Sequence, residues 1–311
     1  MQRAGYPVGR GDHDAAAAIR CPPERTTAGG NVATDLDGLG YRDARVVVVG
    51  CSTGIGAATV RVLHDLGARV HTVSRNEPPM RGETFHPLDL RDPDAIGSTA
   101  EELTALGPID HLFVCAGVPM TRPPREIIQV NYFGVRQLVE AVAPAMVAGG
   151  SVGVVSSNTA FGWEGRLPVL HELLALDGPD EAAAWGETHP EILGEGYASY
   201  VLSKQALVAW VKHRAPSLAE QRRVRLNATL PGPTETPMVE EITSRTGREV
   251  FDRYPHPVLG HIPEAEAQAW PLLLLCSRLN QVVTGAVAFC DEGVSGGMLT
   301  GSIDLEALLA P

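Results

Sequence analysis

The sequence predicts an α/β fold, with a doubly wound parallel sheet in a single domain. Short β-branched runs alternate with segments of helical spacing between about residues 45 and 290. A glycine cluster follows the first of these runs directly. Because parallel strands need a crossover between them, this alternation indicates right-handed crossovers with helices on both faces of the sheet. The expected architecture is therefore of the Rossmann type.

The strand predictions rest on apolar runs that end at glycine or polar residues. Residues 45–50 read Arg-Val-Val-Val-Val-Gly, which is typical of a strand buried on both faces. Further apolar runs occupy residues 69–73, 109–115, 151–155, 224–229 and 286–290.

Helices are predicted between these strands, where apolar residues recur every three or four positions. The spacing is shown by Ala57, Val60, Val62, Leu63 and Leu66, and again by Leu138, Val139, Val142 and Met146. Residues 1–43 lack either periodicity, so we expect a poorly ordered N-terminal extension, or a start placed too early. Residues 44–311 are then expected to form the folded domain, and the motifs below indicate what it binds and catalyses.

Composition argues against several classes of function. The net charge is −12 and no Lys/Arg-rich block is present, which speaks against nucleic acid or an anionic membrane as a partner. No apolar run approaches a membrane span, and the N-terminus lacks the features of a secretory signal. The five cysteines are scattered and no metal-ligand spacing occurs. We expect a cytoplasmic protein without a metal.

The glycine cluster Gly50-Cys-Ser52-Thr53-Gly54-Ile55-Gly56 lies between the first strand and the first helix. Glycines there let the backbone turn sharply and approach a phosphate, while the helix N-terminus supplies N–H donors. A plain strand-to-helix connection is the alternative. The position of the cluster favours nucleotide binding.

Tyr200 and Lys204 are four residues apart, which places a phenol and an ammonium on one helix face. A cation held close to a phenol lowers the pKa of the phenol, so this tyrosine could exchange a proton near neutral pH. The alternative is an ordinary solvated helix.

Taken together, these motifs resemble the short-chain dehydrogenase/reductase family. The glycine spacing G-x-x-x-G-x-G and the Tyr-x-x-x-Lys pair match that family, and further matches follow in family order over residues 45–295. They are Asp89-Leu90, Cys115-Ala116-Gly117 with cysteine in place of asparagine, Asn131, Ser157, and Pro231-Gly232 with Thr234 and Thr236. Details of these motifs are similar to the bacterial 3-alpha-hydroxysteroid dehydrogenase/carbonyl reductase and coniferyl-alcohol dehydrogenase branch.

The resemblance implies a proton-transfer site beside a nicotinamide. Ser157 would bind the substrate oxygen, Tyr200 would move the proton, and Lys204 would lower the Tyr200 pKa and bind the nicotinamide ribose. Asn131 would hold a water that links Lys204 to solvent. The glycine loop, Asp89, Leu90, residues 115–117 and the four residues from Pro231 to Thr236 named above would contact the cofactor. Open alternatives are Ser156 for Ser157, Tyr197 for Tyr200, and a structural role for Asn131.

The end of the second strand bears on which nicotinamide cofactor is used. Ser74 stands where an acidic residue would accept the ribose hydroxyls and repel a 2′-phosphate, and Arg75 follows it. Arginine attracts a phosphate and binds it bidentately. The sequence therefore favours NADP(H) over NAD(H).

Two segments are candidates for substrate binding. Residues 158–196 are about thirty residues longer than the family needs, and their apolar spacing predicts one or two short helices, with a possible helix end at Gly178. This helical insertion could wall a pocket, meet a partner subunit or form a self-contained packed flap. Residues 238–262 are expected to form the substrate lid. We expect a homodimer or homotetramer.

The sequence thus predicts an oxidoreductase that moves a hydride between a nicotinamide cofactor and a hydrophobic, ring-bearing secondary alcohol or ketone. One alternative is a non-catalytic nucleotide-binding sensor on the same fold. Another is a sugar-nucleotide epimerase or dehydratase, although the chain lacks room for the large C-terminal substrate domain of those enzymes.

Overall fold

The computed structural model of the chain describes residues 36–190, 196–304 and 307. Seven strands form one parallel sheet in the order β3-β2-β1-β4-β5-β6-β7. This is the predicted doubly wound architecture. The strands are β1 (Arg45–Val49), β2 (Arg69–Ser74), β3 (Thr84–Pro87), β4 (Ile109–Val114), β5 (Met146–Val155), β6 (Arg225–Pro231) and β7 (Val287–Cys290).

Helices connect the strands and cover both faces of the sheet. In chain order they are α1 (Gly54–Asp65), α2 (Pro93–Ala105), α3 (Pro124–Ile128), α4 (Val135–Val142), α5 (Leu167–Ala175), α6 (Pro179–Thr188), α7 (Tyr197–Arg222), α8 (Pro237–Thr246), α9 (Glu249–Arg253), α10 (Ala265–Cys276) and α11 (Val294–Thr300). A π-helical turn, Gln129–Gly134, joins α3 to α4.

The valine run of β1 shows why the sheet lies at the centre. Val47 and Val49 enter the core that contains α2 and α4, whereas Val46 and Val48 enter the core that contains α1 and α10. Successive side chains of a strand point to opposite faces, so an unbroken apolar run needs a core on each side. All four valines are buried.

The prediction of a poorly ordered extension over residues 1–43 is wrong for residues 36–43, which are folded. Residues 1–35 lie outside the residues that the structure describes. Asp37–Leu39 form a 3-10 turn, and Leu39 and Tyr41 are buried. The Tyr41 hydroxyl donates to the Leu273 carbonyl at 2.6 Å. This segment is folded because its apolar side chains complete the core around α10, which no local periodicity signals.

Two other boundaries differ from the prediction. Met146 was expected on a helix with Val142, but α4 ends at Val142, and Pro144 lies in a 3-10 turn before β5 begins. Proline lacks the N–H that would continue the helix. Strand β3 was not predicted from an apolar run, because two of the four residues in its sequence Thr-Phe-His-Pro are polar.

The described part of the insertion packs onto its own domain. Helix α5 buries Leu170 and Leu173 in the core shared with α7, and Arg166 donates to the Gln205 side chain at 3.1 Å. Helix α5 ends at Ala175, while Gly178 precedes α6 as its N-cap. These contacts join the start of the insertion and α5 to α7 of the same chain, as in a packed flap.

Within the described ranges, no helix is long and apolar enough to cross a bilayer.

Candidate active site

A cavity of about 600 Å³ opens at the carboxyl ends of the strands. The ends of β1, β2, β4, β5 and β6 line one part of it, and α8, α9 and α11 line the other. Ligands of open parallel sheets bind at this edge, where the loops leave the strands. The cavity is therefore the place to test the predicted site residues.

The glycine loop forms one end of the cavity. Gly50 has φ +77°, and a Cβ there would lie 2.4 Å from the backbone of Ala116. A Cβ at Gly56 would lie 2.2 Å from the Gly50 carbonyl oxygen. Both positions thus require glycine, and the turn delivers the N-terminus of α1 to the cavity, where its N–H groups and dipole favour an anion.

Most of the predicted cofactor contacts share this cavity. The exceptions are Ser52 and Gly56, which are not among its lining residues, although Gly56 packs on Gly50. Those that line it are Gly50, Thr53, Gly54, Ile55, Ser74, Arg75, Asp89, Leu90, Cys115, Ala116, Gly117, Tyr200, Lys204, Pro231, Gly232, Thr234 and Thr236. A backbone cradle, a helix N-terminus and an elongated cavity fit a dinucleotide.

Tyr200 and Lys204 lie on the first two turns of α7 and face the middle of the cavity. The Lys204 ammonium is 5.5 Å from the centre of the Tyr200 ring. Burial raises the pKa of Tyr200 to about 12, and the neighbouring Ser157 hydroxyl opposes that rise. The predicted lowering of the Tyr200 pKa is thus not seen, because loss of water around the phenol is the largest influence on it.

Lys204 responds to the same burial in the opposite direction. Its side chain is almost wholly enclosed, and burial lowers the pKa of the ammonium to about 8. A neutral amine is easier to bury than an ammonium ion, so the site holds this lysine close to its point of titration. A shifted tyrosine and a shifted lysine side by side are typical of functional sites.

The structure distinguishes the two serines at the end of β5. The Ser156 hydroxyl donates to the Lys204 carbonyl at 2.9 Å and is buried, so it ties β5 to α7. The Ser157 hydroxyl accepts the Thr159 N–H at 3.2 Å and keeps its own hydrogen for another partner. Ser157 is also the serine that interacts with Tyr200. The geometry favours Ser157 as the substrate-facing hydroxyl.

Tyr197, the rival phenol, lies one turn before Tyr200 on α7 and lines the cavity, but its side chain is 58% exposed. The partner four residues on is Val201, which carries no charge. Tyr200 therefore has the more enclosed position and the nearby cation.

Asn131 lies in the π-helical turn, behind the cavity wall. Its amide accepts the Val118 N–H at 2.7 Å and donates to the Val118 carbonyl at 3.1 Å. A Cβ at Gly117 would lie 3.3 Å from the Asn131 oxygen and 3.5 Å from the Lys204 nitrogen. The asparagine thus fixes the backbone turn next to Lys204, and its side chain is occupied by that role.

The far end of the cavity carries the residues expected around the adenosine. Arg75 is exposed at its rim, and the Ser74 hydroxyl donates to the Asn76 carbonyl at 2.6 Å. Asp89 is held by Arg91, with 3.0 Å between the Arg91 Nε and each carboxylate oxygen, and this hydrogen bonding lowers the pKa of Asp89. The Asp89 carboxylate is therefore paired with Arg91 and is not free to repel a 2′-phosphate.

Cys115 replaces the asparagine of the family motif and lines the cavity. Its sulfur is 4.0 Å from the Thr59 hydroxyl, and burial raises the pKa of the thiol to about 12. The thiol is thus neutral and unreactive at physiological pH, and acts as a small apolar wall group.

The substrate end is mostly apolar. Its walls come from the segment after β4, the start of the insertion, the predicted lid and α11: Met120, Asn158, Thr159, Phe161, Val201, Met238, Val239, Ile242, Val250, Phe251, Tyr254, Ser295 and Met298. Sequence reasoning missed Met120, Asn158, Ser295 and Met298, because none belongs to a motif. Among the residues of α5 and α6 whose side chains the structure describes, none lines the cavity.

The comparisons with known proteins point in one direction. A family model described as short chain dehydrogenase matches residues 44–166, and one described as Enoyl-(Acyl carrier protein) reductase matches residues 188–295. Coniferyl-alcohol dehydrogenase of Pseudomonas sp. strain HR199 is 33% identical over 251 residues, 81% of this chain and 96% of that enzyme.

Two further relatives belong to the same branch. The 3-alpha-hydroxysteroid dehydrogenase/carbonyl reductase of Comamonas testosteroni is 32% identical over 275 residues, 81% of this chain and 97% of that enzyme. The solved structure of 3-alpha-hydroxysteroid dehydrogenase from Pseudomonas sp. B-0831, complexed with NADH, has a TM-score of 0.71 at 26% identity, covering 84% of this chain and 100% of that one. The predicted resemblance is confirmed: the chain belongs to the short-chain dehydrogenase/reductase family and is a nicotinamide-dependent oxidoreductase that acts on CH–OH groups.

Proposed function

We propose that Ser157, Tyr200 and Lys204 carry out the proton chemistry while a hydride moves between the nicotinamide and a hydrophobic, ring-bearing alcohol or ketone. One observation carries this proposal: a single cavity joins the glycine loop to these three side chains and ends in apolar walls. The names of the relatives, which give coniferyl alcohol and a 3-alpha-hydroxysteroid as substrates, support the substrate class.

The cofactor, when bound, supplies or accepts the hydride. Tyr200, protonated at neutral pH, donates its hydrogen to the carbonyl oxygen of a ketone, and the Ser157 hydroxyl donates a second hydrogen bond to that oxygen. In the direction of alcohol oxidation Tyr200 must accept the proton instead, which requires its phenolate form. Lys204, charged below its pKa of about 8, then stabilises the phenolate.

Tyr200→Phe tests this proposal. The variant keeps the ring and removes the proton donor, so we expect ketone reduction to fall by about 10³-fold, while the Kd of the preferred cofactor stays within a few-fold. Tyr197→Phe, which removes the rival phenol from the same cavity, should cost less than about tenfold. Turnover by Tyr200→Phe at the parent's rate would remove Tyr200 from the mechanism.

We also propose that the cofactor is NADP(H) in preference to NAD(H). Arg75 at the rim of the cavity and a carboxylate at Asp89 already paired with Arg91 support this choice. Arg75→Ala should weaken NADPH binding by about tenfold, the order expected for a charged hydrogen bond to phosphate, and leave NADH binding nearly unchanged. Fluorescence titration with both cofactors measures this. Tighter binding of NADH by the parent would contradict the proposal.

Assembly and location are further proposals. We infer a homodimer or homotetramer. Light scattering on the purified protein tests this inference, and a mass of about 33 kDa would show a monomer instead. We infer a reducing, cytoplasmic setting from the free thiols of Cys51, Cys115, Cys276 and Cys290. Detection of an essential disulfide would contradict it.

A further inference from the structure

Three polar side chains interrupt the apolar wall next to Ser157: Asn158, Thr159 and Tyr254. We propose that Tyr254, oriented by Asn158, is a specificity residue that donates a hydrogen bond to a second oxygen of the substrate, distinct from the oxygen that reacts. This inference rests on the proposed function and adds to it a requirement on the substrate.

The geometry of Tyr254 leaves its hydrogen available. Tyr254 ends α9 on the predicted lid and is 8% exposed, and its oxygen accepts the Asn158 side-chain N–H at 2.6 Å. An amide nitrogen donates and does not accept, so this contact uses a lone pair of the phenol and leaves the phenolic O–H without a role in it. Asn158 thereby fixes the oxygen and lets the hydrogen turn toward the cavity.

Asp291, the carboxylate with the largest electrostatic effect on Tyr254, does not take that hydrogen. Asp291 uses Oδ2 to accept the backbone N–H and the hydroxyl of Ser295, at 2.9 and 2.5 Å. Its Oδ1 is buried with no hydrogen-bond partner in the described parts of the chain. Burial and this nearby charge both raise the pKa of Tyr254, so the phenol remains a neutral donor throughout the physiological range.

Thr159 is the second observation that points to a ligand. It lines the same cavity, and its hydroxyl is buried without a partner among residues 36–190 and 196–304. A buried polar group without a partner is unfavourable, so this hydroxyl gains a partner if a bound ligand brings an acceptor close and the side chain turns toward it. Two hydroxyls with unused capacity therefore lie close to Ser157.

The surroundings define the rest of the substrate. Phe161, Val239, Ile242, Val250 and Phe251 provide apolar surface around this polar pair. A ring system suits such walls, and one hydrogen-bond acceptor within it would meet Tyr254. The expected substrate class is an aromatic or alicyclic ketone or alcohol that carries a second oxygen as an ether, hydroxyl or carbonyl group.

Matched ketones that differ by one ring oxygen test the inference, for example 1-tetralone against 4-chromanone and 2-tetralone against 3-chromanone. We expect the parent to reduce at least one oxygen-bearing member with kcat/KM about tenfold above its carbocyclic partner. Tyr254→Phe should abolish that preference, because kcat/KM for the oxygen-bearing ketone falls about tenfold more than kcat/KM for its carbocyclic partner. Asn158→Asp should abolish it too, since a carboxylate would hold the lid contact but accept the phenolic hydrogen.

Tyr41→Phe is the matched control, because it also loses a buried phenol hydrogen bond but lies remote from the cavity. It should lower the Tm and leave the preference unchanged. A preference that is absent in the parent, or that survives in Tyr254→Phe, overturns the inference. Equal losses for both members of a pair, or a weaker Kd for the cofactor in Tyr254→Phe, also overturn it. Failure to reduce any ketone overturns the proposed function instead, and this inference with it.

Discussion

The two ends of the cavity are built from different material. The cofactor end is made largely of backbone, since Gly50 contacts Ala116 and Gly56 contacts Gly50 so closely that no Cβ fits. The substrate end is made of side chains on α8, α9 and α11, which are held to the scaffold by polar contacts such as Glu241 with Thr121 and Arg122. A backbone cradle constrains sequence tightly, whereas a wall of side chains leaves it free.

The reacting centre lies between these ends. Substitution of each serine at the end of β5 tests which of the two takes part in the reaction. Ser157→Ala removes the hydroxyl that faces the cavity and accepts the Thr159 N–H, so we expect kcat to fall by about 10²–10³-fold and stability to fall by about 1 kcal/mol. Ser156→Ala removes the bond to the Lys204 carbonyl, and should cost about 1 kcal/mol of stability with a smaller effect on kcat. A larger loss of kcat in Ser156→Ala than in Ser157→Ala, measured by steady-state kinetics, would assign the chemistry to Ser156.

The same glycine substitution at each end should give opposite results. Gly50→Ala meets the Ala116 backbone and adopts a positive φ, so we expect a loss of about 3 kcal/mol in the free energy of unfolding and weaker cofactor binding. Gly296→Ala, on α11 at the substrate end, has open space around its Cβ and replaces a glycine within a helix, so it should raise the free energy of unfolding by up to about 1 kcal/mol. Equal effects in urea unfolding would contradict the contrast between the two ends.

The buried ammonium group of Lys204 serves the reaction, but it should lower the stability of the folded protein. Lys204→Met removes a buried charge, so we expect the free energy of unfolding at pH 7 to rise by about 1–3 kcal/mol while turnover is lost. The folded pKa of about 8 lies below the ordinary 10.5, so the native state is penalised below pH 8 and progressively less up to pH 10.5. The advantage of the variant should therefore shrink over that window.

Urea unfolding of parent and variant between pH 7 and 9.5 measures this, below the ordinary titration range of tyrosine. A variant that is less stable than the parent, or a difference independent of pH, would show that the buried ammonium is well compensated.

The fold and the cofactor end could be read from the sequence because local patterns determine them. An unbroken run of valines needs a sheet with a core on each face. The spacing of glycines indicates where two backbone segments pack closely. Leu36–Asp43 escaped prediction because the role of Tyr41 depends on a hydrogen bond to Leu273, which is 232 residues away. The pKa of Tyr200 escaped it because the spacing to Lys204 reports proximity, whereas burial is a property of the whole fold.

The sequence predicted where the substrate end lies, but not which residues line it. The lid was placed at residues 238–262, and α8 and α9 indeed contribute Met238, Val239 and Phe251 to the cavity. Asn158, Ser295 and Met298 reach it from three other segments, and no periodicity connects them. The insertion is unusually long, but α5 packs on α7, α6 contacts α3 through Asp180 and Arg125, and no residue of either helix whose side chain the structure describes lines the cavity.

The most direct test of the central claim follows one atom. The parent protein is incubated with a reduced nicotinamide cofactor deuterated at C4 and a cyclic ketone, and the alcohol is analysed by mass spectrometry and NMR. The expected result is one deuterium on the carbinol carbon, formed by the parent and about 10³-fold more slowly by Tyr200→Phe. An alcohol without deuterium, or equal rates for the two proteins, would contradict the account.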